Sequence, residues 1–477
     1  MLNEIHEILI HEERQFEIDV RLANSKYYSA TIEITNNKAT LEIFGEVLGN
    51  DKIVSYEHFE GDNIEYLEGI NSRYKFHFYD SSVFYFKQRS IYGTCGRSAF
   101  HIKLNVKYFH LSIAHPSSSY KTNIYSSIKI YSPTITKWLG ITKKQLEIFK
   151  SSSKEKLPAT DYDLLYEFGI EIEDQFNFNI LYNSRWRRDY NSQNTTSEFP
   201  PSLNVNFRGS YPDFTGVKNI IKQIISLFYV LTGQSIHIEK AYLCFPSHTK
   251  QVPLYLTGSS MSGNEIENKN MLLCYNSDHL FDKEHEPVFP VESFRTFFLL
   301  EESKKDVFKK FSTYDQMKNK EEKFISLFRI VENLVFVESV YVEEELLSSS
   351  LEILKRDLTN QGVKAGIVKK LFGRFLNVNK QKINAESAII KFLESLEKEI
   401  YSDLTHLKNC LPKIVKLRND ITHCNPYTLV ENEIEKYILI LNYLCILLLW
   451  REIGLSDHYA FNNLHKYYRY RYIRKEI

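Results

Sequence analysis

The sequence lacks a net charge of either sign: its 477 residues carry 60 Lys and Arg against 60 Asp and Glu. That balance excludes a protein that coats nucleic acid or an acidic membrane surface by bulk electrostatics, though not local patches. Cysteine is scarce, with six residues at positions 95, 244, 274, 410, 424 and 445 and no CxxC pair. A disulfide framework is therefore excluded, and the thiols read as reduced. The longest apolar run, Tyr437 to Trp450, is interrupted by Asn442 and is too short to span a bilayer. The start has no basic segment followed by an apolar one, so no secretory signal is expected. Neither GxxxxGK[ST] nor GxSxG occurs, which argues against nucleoside triphosphate hydrolysis and against a nucleophile-elbow hydrolase. Together these absences predict a cytoplasmic protein with no membrane association.

What is present is enough apolar material for sizeable cores, at 43% hydrophobic and 14% aromatic residues. The length predicts two or three domains. Residues 1–135 alternate with period two. Thr31 to Thr35 and Ala39 to Phe44 flank an Asn36-Asn37 turn, and Tyr74 to Phe78 and Val83 to Phe86 flank Asp80-Ser81-Ser82, which predicts two hairpins. His101 to Leu111 and Asn123 to Tyr131 add strands, giving an antiparallel sheet or sandwich. Residues 136–304 read as a mixed α+β part: strands over 176–183 and 202–207, a helix from Val217 to Leu231 closed by Gly233, and further strands in 236–245 and 252–258. From about 305 the period becomes helical, with stripes over Glu321 to Leu347 and Ala385 to Leu404. A helix with Pro412 in its first turn is expected to run up to Pro426, and a last, very apolar helix covers Leu429 to Ile453. The fold class is α+β and multidomain: a β-rich N-terminal region, an all-α bundle over 305–456, and a basic-aromatic tail over 457–477.

The chemistry-bearing motif is Arg418-Asn419-Asp420-Ile421-Thr422-His423, an arginine and a histidine with four residues between them. As a bare pattern it is weak, and Arg451 with His458 matches it too. In the second pair Gly454 breaks the helix between the two members. Metal-free RNA cleavage needs a base for the 2′-hydroxyl proton, a cation for the charge growing on phosphorus, and an acid for the departing 5′-oxygen. Histidine serves as base or acid near neutrality, and arginine matches phosphate oxygens with a fixed planar fork. Residues five apart stand about 140° apart on a helix, whereas Asn419 and His423 share a face. Asn419 is thus placed to orient the imidazole while Arg418 reaches the phosphate. An Arg and a His on a bundle helix also serve as a surface charge and an ordinary polar contact, and Glu332 and Asp420 are supporting candidates beside them.

The motif, its position on a bundle helix, the apolar helix after it ending LLWREIGLS, and the opening helix with Val331-Glu332-Asn333-Leu334 resemble the HEPN ribonucleases. Specifically, they resemble the HEPN domain of ApeA-like abortive-infection proteins. The KATLEIFGE hairpin and SLFYVLTGQSIHIEKAYL are similar to the β-rich region of those proteins. The resemblance implies a metal- and cofactor-independent endoribonuclease that leaves 2′,3′-cyclic phosphate and 5′-hydroxyl ends. It further implies cleavage of host RNA, with transfer RNA the candidate, upon a phage-derived trigger, a sensing or inhibitory N-terminal region, and a homodimer through the HEPN domain. The rivals are a non-catalytic HEPN module for binding or dimerisation, a toxin silenced by a separate antitoxin, and a metal-dependent nuclease built on Asp278, His279, Asp282, Glu284, His285 and Glu286. The spacing of that acidic cluster matches no standard metal site, and a solvated loop is the favoured reading.

Net neutrality conceals opposed regions: residues 301–477 sum to about +4 and residues 1–300 to about −4. The stretch 361–382 holds Lys364, Lys369, Lys370, Arg374, Lys380 and Lys382 with no acidic residue. Its apolar residues predict an amphipathic helix with a positive polar side. The tail interleaves cations, Arg469 and Arg471 among them, with aromatics able to stack on unpaired bases, and Arg185-Trp186-Arg187-Arg188 forms a third cluster. For each, a solvated face or domain packing is as good a reading as RNA contact.

Overall fold

The structure, a computed structural model, describes residues 13–35, 38–48, 63–91, 96–113, 124–152, 165–183, 185–188, 195–246, 251–256, 271–275, 289–335, 342–379, 384–427, 431–466 and 470. The chain divides into two compact units, Met1–Leu299 and Leu300–Ile477. The first is built on an antiparallel sheet and the second is all-helical, as the change of hydrophobic period requires.

Six strands open the first unit: β1 (Arg14–Arg21), β2 (Tyr27–Thr35), β3 (Lys38–Leu48), β4 (Asn63–Ile70), β5 (Tyr74–Ser90) and β6 (Arg97–Ile113). Their pairings form a ring. β1 joins β2 and β4, β2 joins β3, β4 joins β5, β5 joins β6, and β3 returns to β6 from Ala39↔Val106 to Leu48↔Arg97. The result is a closed six-stranded barrel rather than a sandwich. Alternation fills it: on β2 Tyr28, Ala30, Ile32 and Ile34 are buried, and on β3 Ala39, Leu41, Ile43 and Val47. Each fully buried Ile, Leu or Phe contributes about 1.5–3 kcal/mol of transfer free energy. Gly45 is required at its inward position, because a Cβ there would collide with the rings of Tyr28 and Phe100.

The second expected hairpin is not formed. Asp80, Ser81 and Ser82 lie within the single long strand β5, which pairs with β6 on both sides of them. Asp80 takes a left-handed conformation (φ 51°), and a register shift follows between Val83 and Tyr85. Aspartate tolerates that backbone, so turn-forming residues here bend a continuous strand instead of reversing it.

The far end of β6 leaves the barrel and pairs with β14 (Gln251–Leu256) through Leu254↔His110 and Leu256↔Tyr108. The sheet then continues through β13 (Lys240–Cys244), β7 (Ser127–Tyr131), β12 (Pro201–Phe207), β9 (Phe176–Tyr182) and β8 (Tyr166–Ile172). β7 belongs to this second half, so hydrogen bonding runs through the boundary expected at 135. β10 (Arg185–Arg188), which carries the third basic cluster, pairs separately with β11 (Thr195–Glu198). The helices of this unit are α1 (Pro133–Leu139), α2 (Lys143–Ser152), α3 (Phe214–Thr232) and α4 (Glu292–Leu299). Asp213 caps α3 at its start and Gly233 at its end (φ 73°), as its position predicted. The Lys218 ammonium on α3 reaches both Asp80 oxygens at 2.9 Å. Among the described helices α3 alone has the length and hydropathy of a membrane span; 56% of its apolar window is buried inside the fold.

The second unit holds α5 (Glu302–Tyr314), α6 (Lys320–Leu334), α7 (Glu344–Asn360), α8 (Ala365–Asn379), α9 (Ala385–Glu394), α10 (Lys398–Leu404), α11 (Leu407–Thr422), α12 (Glu431–Glu452) and α13 (Asp457–Lys466). Several expected spans are divided. The stripe over 321–347 is split between α6, capped at Val335, and α7. The stripe over 385–404 breaks at Ser395, whose hydroxyl donates to the Phe392 carbonyl as α9 ends. Pro412 lies inside α11 and not in its first turn, because five residues from Leu407 already form helix ahead of it. Residues 441–450 of α12 are all buried, which explains why this segment is apolar all round. Its one polar interruption, Asn442, donates to Asp315 Oδ1 at 2.6 Å and accepts from the Tyr470 hydroxyl. The expected tail begins as a helix instead, with Phe461, Leu464 and Tyr470 buried.

Candidate functional site

Arg418, Asn419 and Asp420 lie close to the end of α11, and His423 is its C-cap residue. The helix end is built locally. The His423 N–H donates to the Asn419 carbonyl at 2.9 Å, Cys424 adopts φ 55°, and the Asn425 N–H closes on the Asp420 carbonyl at 2.9 Å. Pro426 follows the cap and cannot continue the helix. Gly454 (φ 82°) separates Arg451 from His458, so the second Arg–His match spans two helices.

The Arg418 guanidinium is fixed on three sides. Its Nη2 meets both Glu332 oxygens, at 3.3 and 3.2 Å, from α6. Its Nη1 donates to the Asn419 side-chain oxygen at 3.0 Å, and its Cζ stands 5.4 Å from the centre of the Phe328 ring. The side chain is 28% exposed and that of Glu332 35%, so the pair faces solvent while its arginine stem is packed. Glu332, a supporting candidate in the sequence, is thus the arginine's carboxylate partner. The Asn419 side chain meets Arg418, not the imidazole it was expected to orient, and its link to His423 is through the backbone. His423 is exposed, and among the described residues its imidazole has no hydrogen-bond partner. The braced arginine keeps donors able to bind a phosphate, and the exposed imidazole five residues further along is chemically able to exchange a proton.

A groove of about 520 Å³ opens on the adjoining face of α11, lined by Lys413, Lys416, Asp420, Tyr427, Glu433 and Tyr437 among others. Of these only Asp420 was a candidate from the sequence; the others were not. The available signal was spacing: Lys413, Lys416 and Asp420 follow at three and four residues on the motif's own helix and share a face. Phe328 was likewise missed as an arginine platform. It sits four residues before Glu332 on α6, which places both on the side turned toward Arg418.

The remaining candidates are dispersed. Lys369, Lys370 and Arg374 are exposed on α8, but the helix does not bury the apolar face expected of it: Val368 and Phe372 are covered, whereas Ile367, Leu371 and Phe375 are exposed. Arg469 and Arg471 lie outside the described residues, as does the cluster 278–286. Among the described residues no group of three or more His, Cys, Asp or Glu side chains is placed to hold a metal. Among the described residues the buried histidines of the first unit are His77 and His110. Their rings stack at 4.5 Å across β5 and β6, with Tyr66 hydroxyl 2.8 Å from His77 Nδ1 and Tyr125 hydroxyl 3.0 Å from His110 Nε2. Burial pushes His77 down to about 4 and His110 well below the ordinary histidine range.

Comparison of the chain with protein-family models, with curated proteins and with solved structures gives no match.

Proposed function

We propose that the helical unit is a metal-independent HEPN-type endoribonuclease, with Arg418 and His423 its reacting residues and Asn419 holding the arginine. The observation that carries this reading is the pairing of a guanidinium braced by Glu332, Asn419 and Phe328 with an exposed imidazole at the end of the same helix. In the reaction His423 takes the proton of a ribose 2′-hydroxyl. The 2′-oxygen bonds to phosphorus, the bond from phosphorus to the 5′-oxygen breaks, and that oxygen receives a proton. Arg418 offsets the charge on the non-bridging oxygens. A 2′,3′-cyclic phosphate and a 5′-hydroxyl result.

A homodimer belongs to the proposal, since a second copy brings the second proton-transfer group. Self-association is favoured by α7 and α8, which leave Ile353, Leu354, Ile367, Phe375 and Val378 exposed. α7 opens with Glu343, Glu344 and Glu345, while α8 carries Lys369, Lys370 and Arg374 and no acid, the self-complementarity that a two-fold interface needs. The cellular role we infer is anti-phage defence by cleavage of host RNA, transfer RNA the first substrate to test, with the β unit sensing a phage-derived trigger.

The test is cleavage of a mixed RNA pool by the full-length protein in EDTA, with end mapping for cyclic phosphate. Activity in EDTA that falls at least a hundredfold in His423→Ala is expected. Equal cutting by the variant overturns the assignment. A second reading, a non-catalytic binding module, draws on the Glu332–Arg418 ion pair, which can serve structure alone; RNA retention without any cleavage would favour it.

A further inference from the structure

We propose that the groove between α11 and the first turns of α12 is a nucleotide subsite that prefers guanosine in single-stranded RNA. Its walls offer three kinds of contact at once. Lys413 and Lys416 are exposed, and among the described residues neither has a carboxylate partner. Tyr427, half-buried, stands on the wall, and the buried Tyr437 backs the groove. The carboxylates are Asp420, whose Oδ1 accepts from Asn425 Nδ2 at 3.3 Å and whose Oδ2 has no partner among the described residues, and Glu433. Neither lysine has collapsed onto either carboxylate, so cations and anions both remain available to a ligand.

The ligand follows from that combination. Two lysines call for an anion, the Tyr427 ring for a flat heterocycle, and a volume of about 520 Å³ lies within the range that takes a small organic ligand. A carboxylate only accepts hydrogen bonds, so it selects a base edge with adjacent donors. Guanine presents N1–H and the 2-amino group side by side. Adenine and cytosine each set a ring acceptor next to a single amino donor, and uracil flanks one N–H with two carbonyls. Asp420 and Glu433 therefore discriminate for guanine, with Lys413 and Lys416 on its phosphate. The place of this subsite in catalysis rests on reading Arg418 and His423 as the cleaving residues: Asp420 lies two residues from Arg418, so cuts would fall beside guanosine.

Binding separates the two ideas, because it needs no cleavage. Calorimetric titration of the full chain with GMP, IMP and AMP should give GMP at least tenfold tighter than AMP, with IMP, lacking the 2-amino donor, between them. Lys413→Ala with Lys416→Ala should weaken all three about tenfold. Both lysines are exposed, so the fold tolerates their replacement. Asp420→Asn with Glu433→Gln should remove the preference for GMP while leaving binding. Equal affinity for GMP and AMP, or a preference that survives the double carboxylate variant, overturns the subsite even if RNA is cut. A GMP preference in a protein that never cuts RNA upholds the subsite and overturns the nuclease.

Discussion

His77 and His110 in the barrel and His423 at the end of α11 are one kind of side chain in opposite surroundings. The barrel pair is 5% and 1% exposed, stacked ring on ring, and each ring meets a tyrosine hydroxyl. Burial holds both neutral at physiological pH. His423 is exposed, has no hydrogen-bond partner among the described residues, and caps α11 five residues after Arg418. The contrast is one of access: the stacked His77 and His110 serve as neutral packing and hydrogen-bonding groups, whereas the His423 imidazole is open to solvent.

The largest effect should come from breaking that contrast on its reactive side. His423→Ala should lower the cleavage rate by about 10²–10⁴-fold and change unfolding free energy by no more than about 0.5 kcal/mol. Loss of stability without loss of cleavage would reverse the roles assigned to the two units. Next comes acidification of the barrel. The folded protein holds His77 at about 4, against about 6.5 unfolded, so the unfolded chain binds more protons as the pH falls. The associated stability is complete above pH 6.5 and is lost between there and about pH 4, on the order of 3 kcal/mol from His77. Urea unfolding at pH 7.5, 5.5 and 4.5 measures it. His77→Phe should flatten the dependence, and an unchanged slope would mean that other groups carry it.

Legibility differed between the units for physical reasons. The β2–β3 hairpin, α3 with its glycine cap and the change to helical period near 300 are written in local pattern. Closure of the barrel through β3 and β6 joins residues about 50 to 70 apart, and no local signal encodes it. Turn chemistry misled at Asp80, where a left-handed residue sits within a continuous strand, and Pro412 misled because five helical residues precede it. At the site, the end of α11 and the motif upon it were readable. That Asn419 would turn to Arg418, and that Phe328 would lie under the guanidinium, depended on how α6 packs against α11, which one helix's spacing does not contain.

The bundle has a polar node to set against the barrel's, and it is the better place to damage the second unit alone. Asn442 ties buried α12 to Asp315, which also holds Lys323 at 2.8 Å, and to Tyr470. Asn442→Leu keeps the volume roughly constant but leaves the Tyr470 hydroxyl without its acceptor and Asp315 with one donor fewer. We expect a loss of about 1–3 kcal/mol. It should appear as lowered protection from hydrogen exchange in α12 and α13 with the barrel amides unchanged. Equal loosening of the barrel would show that the two units do not unfold separately.

Glu332→Gln should produce the smallest change in stability and the most informative one. The ion pair it weakens is about one-third exposed, so its removal should cost no more than about 1 kcal/mol. If Glu332 serves only the fold, cleavage is unaffected. If it holds the guanidinium plane for a phosphate, the arginine keeps its charge and its seat on Phe328 but loses its two-oxygen anchor, and the rate should fall several-fold with RNA affinity nearly constant. A rate that rises instead would identify Glu332 as a competitor for the cation, and Arg418 would then be restrained in the isolated chain until RNA displaces the carboxylate.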